Sequence, residues 1–349
     1  MKKLVRTVYR VAIIFVLTNV LTASVSLAQD LKRIVLLETM DVKVVRDRSH
    51  WFRVQMKDLG YIEGVNMMLT VLKASGSYAR AESLLKAHLS KNHVDLVVTN
   101  ATLASQAAVK LLKDTSIPQL FMTVADPVGA GIVKDIGVPS GKNITGRVYN
   151  ISSKTKIKIV LQLVEDKLKR RPIRFGYIHS SYPSSVGDLK LLQTVAKENK
   201  NITFIPYEIE YREIPENIDY MLLGLEKGLQ QLEGQIDFIW EPLGPFAESI
   251  EYNKRMVNLA TVPVVFGINE ESLQVGVLMH LSPDPEGEGR EVGMLADKIL
   301  AGAWPGDIPV IPPIKFNLGI NLTSADKMGI VVPPSILELA GKNLYREGL

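Results

Sequence analysis

From Arg33 onward, the pattern of hydrophobic and polar positions divides the chain into two kinds of segment that alternate with each other. Short apolar runs rich in β-branched residues predict strands, and longer segments with one apolar face predict amphipathic helices. The first series alternates strand and helix, starting with a strand, over residues 34–37, 47–59, 67–72, 78–90, 95–99, 103–112 and 119–123. Because its strands are apolar throughout, they are typical of a parallel sheet covered on both faces. The pattern therefore predicts a Rossmann-like lobe with four parallel strands.

The alternation pauses near residues 141–149 and then starts again. The second series alternates helix and strand, starting with a helix, over residues 154–169, 174–178, 186–199, 202–207, 218–232, 237–240, 247–259 and 262–266. A chain of 349 residues exceeds what one core usually supports. We therefore predict an α/β fold with two Rossmann-like lobes, each built on a parallel sheet.

The last part of the chain contains too few elements for a third lobe. It contains a strand, a helix, a Pro-rich connector and a final strand, at residues 277–281, 289–300, 304–313 and 315–321. The simplest arrangement sends the chain across between the lobes three times. It assigns residues 29–147 plus about 277–310 to lobe one, and residues 148–276 plus about 311–349 to lobe two.

Residues 1–28 have the three parts of a secretory signal peptide. Four basic residues precede an apolar stretch over residues 11–20, and Ser26-Leu27-Ala28 provide the small-residue end. The alternative is a membrane anchor, but the longest uninterrupted apolar run, residues 11–17, is shorter than the roughly 20 residues that span a bilayer. We expect cleavage after Ala28 and export to the periplasm.

The basic balance of the chain comes largely from this leader. The sequence has 41 Lys and Arg against 37 Asp and Glu, and residues 1–28 hold four of the basic residues and no acidic one. Residues 29–349 are therefore neutral, which gives no argument for a nucleic-acid partner. The sequence has no cysteine, which excludes disulfides, thiolate metal sites and a lipid-modified cysteine. We expect a soluble monomer that needs no cofactor.

Polar residues follow several predicted strands at their carboxyl ends. In an open parallel sheet, ligands bind outside these ends, where helix N-termini present free N–H groups. The candidate ligand-binding residues are Thr99, Asn100, Ala101, Thr102 and Asp126 in lobe one, and Ser180, Ser181, Ser184, Ser185, Glu241 and Asn269 in lobe two. We expect both sets to face one cleft.

Structural roles compete with ligand binding at some of these positions. Thr102 is equally well explained as a helix cap, and Asp126 before a proline is typical of a turn. The paired serines at 180–181 and 184–185 exceed what a cap requires and suit a small anion. Glu241 ends a hydrophobic strand, so its carboxylate needs a cationic partner, either a ligand amine or a Lys or Arg of the opposite lobe.

Signatures of catalysis are absent from the sequence. No Gly-x-Ser-x-Gly elbow occurs, and His88 and His93 are five residues apart, so they would not share a helix face. The glycines of residues 126–131 lack the Gly-x-Gly-x-x-Gly spacing of dinucleotide sites. We therefore predict a binding protein rather than an enzyme.

Several sequence blocks resemble the ABC transporter substrate-binding proteins, whose best-described members take up tryptophan and related aromatic amino acids. The blocks are LGYIEGVN at 59–66, DLVVT at 95–99, ADPVGAGIV at 125–133, NITG at 143–146, ILAG at 299–302, NL at 321–322 and VP at 332–333. The resemblance covers nearly the whole chain after residue 28. It implies a type I periplasmic-binding-protein fold and an ABC permease of the inner membrane as partner.

The resemblance also implies site residues, position by position. Residues 99–102, Asp126 with Pro127, and residues 180–185 match family positions that contact ligand. The sequence departs after the strand that ends at Trp240, because many relatives have an Asp-Asn-Thr-like stretch where this chain has Glu241 and Pro242. The expected ligand is a small polar or zwitterionic solute, with an amino acid as one candidate. The alternative is a sensory ligand-binding protein that signals to a membrane receptor.

Overall fold

The computed structural model describes residues 31–164 and 172–347. Within these ranges twelve strands form two sheets. The strands are β1 (Lys32–Glu38), β2 (Met67–Lys73), β3 (Leu96–Asn100), β4 (Gln119–Val124), β5 (Ile144–Val148), β6 (Ile173–Ser180), β7 (Ile202–Ile209), β8 (Phe238–Trp240), β9 (Val264–Gly267), β10 (Met279–Pro283), β11 (Phe316–Asn321) and β12 (Leu344–Tyr345).

Helices connect most of these strands. They are α1 (Lys43–Asp58), α2 (Tyr78–Leu89), α3 (Thr102–Leu112), α4 (Ser153–Val164), α5 (Pro183–Glu198), α6 (Ile218–Leu232), α7 (Ile250–Leu259), α8 (Glu271–Gln274), α9 (Pro285–Leu300), α10 (Leu322–Lys327) and α11 (Pro334–Ala340). Among the described residues, none of the helices combines the length and the apolarity that crossing a bilayer requires. The predicted signal peptide lies outside the described residues.

The two sheets give the chain two lobes. The first sheet has the order β2-β1-β3-β4-β5, and all of its pairs are parallel. The second has the order β12-β11-β10-β9-β8-β6-β7, in which only the β10–β11 pair is antiparallel. The α/β fold that the alternation of strands and helices predicts is confirmed.

The first sheet is covered on both faces because alternate residues of its strands point to opposite sides. Ile34 and Leu36 pack with residues of α1 and α9, whereas Val35 and Leu37 pack with α2 and α3. Helix α9 approaches α1 closely through its glycines, since a Cβ atom at Gly289 would lie 2.5 Å from the Cβ of Trp51. The apolar character of these strands follows from this double covering.

One strand of the first sheet was not predicted from the sequence. Strand β5 extends the sheet from four strands to five and pairs with β4. Its sequence contains Gly146 and Arg147, so it lacks the continuous apolar run of the inner strands. Gly146 is needed there, because a Cβ atom at this position would lie 2.4 Å from the carbonyl oxygen of Phe121.

The prediction that strand 277–281 belongs to lobe one was wrong. This strand is β10, and it pairs with β9 in the second sheet, with Met279 opposite Phe266. Only a four-residue helix, α8, and a turn at Gly276 separate β9 from β10. So short a connection keeps the two strands side by side. Helix α9 and the segment that follows it as far as Val310 then return to the first lobe.

The chain crosses between the lobes three times, as predicted. The crossings follow β5, β10 and the short 3-10 turn at Pro305–Asp307. The first and third crossings are joined, because the Val148 N–H donates to the Ile311 carbonyl at 3.1 Å. Such an arrangement allows one lobe to rotate against the other about adjacent segments.

Candidate ligand-binding site

A cavity of about 40 Å³ lies between the two lobes, at the carboxyl ends of the strands. It is lined by Met40, Val42, Val44, Val45, Ala101, Thr102, Thr123 and Ala125 from the first lobe, and by Tyr149, Tyr182, Ser184, Leu243, Gly244, Pro245 and Glu248 from the first crossing and the second lobe. Sites for small molecules usually have volumes of about 300–1,000 Å³. The lobes are therefore nearly closed in this conformation, and a ligand needs them to separate before it can enter.

The first-lobe wall of the cavity contains unusual backbone. Ala101 and Thr123 both have positive φ, at 75° and 58°, and both line the cavity. For residues other than glycine such conformations cost about 1–3 kcal/mol and are concentrated at functional sites. The Thr123 hydroxyl is buried without a hydrogen-bond partner among the described residues. The surrounding structure thus keeps Ala101 and Thr123 in backbone conformations that are unfavourable in themselves.

Helix α3 begins at this wall. The Thr39 hydroxyl accepts from the Ala104 N–H at 2.9 Å and satisfies one of the N–H groups of the first turn. The earlier N–H groups of a helix have no intrahelical acceptor, and they carry the positive end of the helix dipole. Since Ala101 and Thr102 line the cavity, this positive end faces it.

Tyrosine side chains connect the lobes on the second-lobe side. Tyr182 immediately precedes α5, is 2% exposed and packs against Met40 and Leu103 of the first lobe. Its ring makes an edge contact with Tyr211, with 4.9 Å between centroids. The Tyr211 hydroxyl donates to the carbonyl of Gly76 in the first lobe at 3.2 Å. Aromatic rings thus close one end of the cleft.

Glu248 supplies a carboxylate to the cavity. Among the described residues this carboxylate makes no hydrogen bond and no ion pair. Burial raises its pKa to about 7, and the positive charge of Arg48 only partly offsets the effect of burial. A partly buried carboxylate without a direct partner is available to a cation of a ligand.

Arg48 lies beside this carboxylate at the crossings. Its Nε donates to Glu288 Oε2 at 2.5 Å, and its guanidinium lies 4.7 Å from the ring centroid of Tyr149. A second, polar cavity of about 180 Å³ adjoins the first, shares Tyr149 and Glu248 with it, and is also lined by Arg48 and Asn269. The two cavities form one continuous cleft around Glu248.

Some of the predicted site residues meet in this cleft. Ala101, Thr102 and Ser184 line the first cavity, and Asn269 lines the adjoining polar cavity. Asp126 is outside both linings and accepts from a backbone N–H of the turn that follows it. The hydrogen bond of Asp126 is therefore the one expected of a residue that begins a turn.

Thr99 and Asn100 instead lie inside the first lobe. Both are 0% exposed. The Thr99 hydroxyl is 2.9 Å from that of Ser105, and the Asn100 amide donates to Val45 O and Ser49 Oγ, both at 2.9 Å. Strand ends of a sheet covered on both faces are buried before they reach the cleft, so these two residues fix α1 and α3 rather than line the cavity.

The other serines of the predicted loop also serve the protein's own backbone. Ser180 is fully buried and accepts from the Tyr182 N–H at 3.3 Å, whereas Ser181 is exposed. Ser185 donates to the Leu243 carbonyl at 2.5 Å. Of the two serine pairs, only Ser184 presents its side chain to the cavity.

Glu241 does not line either cavity, contrary to the expectation from its position in the sequence. It is 0% exposed and accepts from Ser272 Oγ at 3.0 Å and from the Ile268 N–H at 3.2 Å. Burial raises its pKa to about 8, and its Oε1 has no partner among the described residues. Within the described ranges Glu241 forms no ion pair with a Lys or Arg of the opposite lobe, and burial favours the neutral form of its carboxyl.

The sequence analysis missed three side chains of the cleft. Tyr149 ends the pause between the two series, Tyr182 lies within the serine-rich loop, and Glu248 is the second residue of the predicted helix 247–259. Of the three, only Tyr182 could have been found by reading onward from a predicted strand, because no strand was predicted directly before Tyr149 and Glu241 precedes Glu248 after Trp240. Within residues 31–164 and 172–347, no group of three or more His, Asp or Glu side chains could hold a metal ion.

Comparisons with known proteins show which family the chain is similar to. The family described as ABC transporter substrate binding protein matches residues 52–344. The chain is 27% identical to a tyrosine-binding protein of Clostridioides difficile over 267 residues. This alignment covers 76% of this chain and 72% of that protein.

Solved structures share the fold. A conserved domain protein from Vibrio cholerae has a TM-score of 0.73 at 22% identity, and covers 89% of this chain and 99% of its own. An ABC domain from Streptococcus pneumonia in complex with L-Trp has a TM-score of 0.74 at 20% identity, and covers 90% of this chain and 99% of its own. These neighbours have the type I periplasmic-binding-protein fold, and the family consists of solute-binding proteins rather than enzymes. The chain belongs to the family of ABC transporter substrate-binding proteins.

Proposed function

We propose that the protein captures an aromatic amino acid, or a similar small zwitterion, in the cleft and delivers it to an ABC permease for import. One observation carries this proposal: a single cavity is lined by the unpaired carboxylate of Glu248 and by residues of the first turns of two helices, Thr102 of α3 and Ser184 of α5. A ligand ammonium group suits the carboxylate, and a ligand carboxylate suits the helix N-termini.

The remaining lining of the cavity favours an aromatic side chain. Met40, Leu243 and Pro245 are apolar, and the rings of Tyr149 and Tyr182 provide flat surfaces for stacking or edge contacts. The tyrosine-binding relative and the neighbour in complex with L-Trp support the same ligand class. The pattern of residues 1–28 supports export, so the proposed location of the mature protein is the periplasm.

A thermal-shift series with the purified protein tests the ligand class. L-tyrosine and L-tryptophan should raise the melting temperature, because a ligand at about 100 times its Kd adds about 2.7 kcal/mol to the unfolding free energy. Tyramine lacks the carboxylate and 3-(4-hydroxyphenyl)propionate lacks the amine, so each should stabilise much less than L-tyrosine. Stabilisation by a sugar and by neither aromatic amino acid would overturn the proposal. Loss of labelled L-tyrosine uptake on gene deletion tests the importer role.

A further inference from the structure

A cluster of polar side chains is buried beneath the second-lobe wall of the cavity. We call Asn150, Lys156, Tyr177 and Asp188 the Asp188 cluster, and none of them is more than 6% exposed. Lys156 Nζ donates to Asp188 Oδ1 at 2.6 Å and to Asn150 Oδ1 at 3.0 Å. Asn150 Nδ2 donates to the same Asp188 oxygen at 3.0 Å. The buried charges are therefore paired and hydrogen-bonded.

The cluster reaches a loop of the ligand cavity through Tyr177. The Tyr177 hydroxyl donates to Asp188 Oδ2 at 2.9 Å and accepts from the Leu243 N–H at 3.3 Å. On the other side of the same residue, Ser185 Oγ donates to the Leu243 carbonyl at 2.5 Å. Side chains thus hold both backbone polar groups of Leu243, whose side chain lines the cavity.

The Asp188 cluster reaches the cavity lining at three places, one of them through the Ser185 carbonyl, which lies 3.4 Å from the Tyr177 hydroxyl. Asn150 follows Tyr149, Ser185 follows Ser184, and Leu243 is itself part of the lining. These three places belong to the first crossing, to the start of α5 and to the loop after β8. The cluster therefore joins three separate chain segments that meet at the ligand cavity.

Stability alone gives a weak reason for such a cluster. Burying an ion pair costs desolvation free energy, and well-packed apolar side chains in its place are often as stabilising or more so. A hydrogen-bonded network does fix side chains and backbone in one arrangement. We infer that the Asp188 cluster is a set of positioning residues that holds Tyr149, Ser184 and Leu243 in the geometry that binds ligand.

The substitution Tyr177→Phe tests this inference, which rests on the proposed function. It keeps the ring and the Lys156–Asp188 ion pair and removes only the hydroxyl that holds Leu243. The matched control is Tyr252→Phe, because the Tyr252 hydroxyl is also buried in the second lobe but donates to the carbonyl of Ile178, a strand residue, at 3.0 Å. A merely structural role predicts similar losses of stability in both variants and unchanged affinity in both.

We expect Tyr177→Phe to weaken L-tyrosine binding roughly tenfold and the control to change it less than about twofold. Hydrogen exchange without ligand should become faster in residues 241–248 of Tyr177→Phe alone. Equal affinities of the two variants, or equal exchange in this segment, would overturn the inference. If wild-type protein binds neither L-tyrosine nor L-tryptophan, the proposed function fails, and the exchange measurement still decides whether the cluster orders the loop.

Discussion

Replacement of Glu248 by glutamine should weaken the binding of L-tyrosine without unfolding the protein. The substitution keeps the shape of the side chain and removes the charge that we expect to meet the ligand amine. A hydrogen bond to a charged group contributes about 1.5–3 kcal/mol and a neutral one about 0.5–1.5 kcal/mol, so the Kd should rise roughly tenfold. Because burial already disfavours the charge of Glu248, its neutral replacement should not lower the stability of the ligand-free protein.

The pH dependence of binding gives a second signature of this carboxylate. Burial raises the pKa of Glu248 to about 7. Without ligand its carboxyl is therefore about 90% ionised at about pH 8 and about 10% ionised at about pH 6. When the pH is lowered from about 8 to about 6, the wild-type affinity for L-tyrosine should therefore fall roughly tenfold. The affinity of Glu248→Gln should change little over the same range.

Calorimetric titration of three proteins at both pH values measures these effects. The control is Glu241→Gln, which makes the same chemical change at a carboxyl group that is fully buried in the second lobe and outside the cavity lining. Its affinity should stay within about twofold of wild type. If Glu248→Gln binds L-tyrosine as tightly as wild type at both pH values, the ligand amine does not meet Glu248 and the reasoning is refuted.

Three further predictions follow from the same structure. Burial raises the pKa of Glu241 to about 8 and that of Glu248 to about 7, so the native state binds more protons than the unfolded state. The unfolding free energy of ligand-free protein, measured in urea, should therefore fall as the pH rises from about 5 to about 8, and a rise would contradict these pKa shifts. Gly244 has a φ of 139° and its Cβ would lie 2.3 Å from Ser185 Oγ, so Gly244→Ala should lose about 1–3 kcal/mol of stability in the same assay. Its unchanged stability would show that the loop adjusts freely. X-ray scattering should show a smaller radius of gyration with L-tyrosine than without it, and an equal radius would argue against opening in solution.

The sequence predicted the fold well because its strands are covered on both faces. Runs such as Ile34–Leu37 must be apolar throughout when helices pack on each side, and this makes them visible in a single sequence. The sequence did not show which of the two sheets each strand joins. An apolar run fits either sheet equally well, so the periodicity of residues 277–281 carried no information about whether they pair with β9.

The site was harder to predict, because it depends on the directions of side chains. Glu241 and Glu248 lie in the same connection between β8 and α7, yet the first points into the second lobe and the second lines the cleft. The turn at Gly244, with its φ of 139°, lies between them. Spacing along the sequence does not encode that change of direction. Tyr149 and Tyr182 belong to separate segments, and only the folded chain brings both to the cavity.

The position of helix α9 in the chain has a consequence for biosynthesis. Its residues Val292, Leu295 and Ile299 complete the apolar layer on one face of the first sheet, together with Phe52 of α1. A ribosome makes them only after strands β6–β10 of the second sheet, because chains are synthesised from the N-terminus. The N-terminal lobe therefore cannot complete its fold until much of the second lobe has been synthesised, and it does so through contacts of long sequence separation, which form slowly. A chain that stops before residue 285 would keep this apolar face uncovered and prone to aggregation.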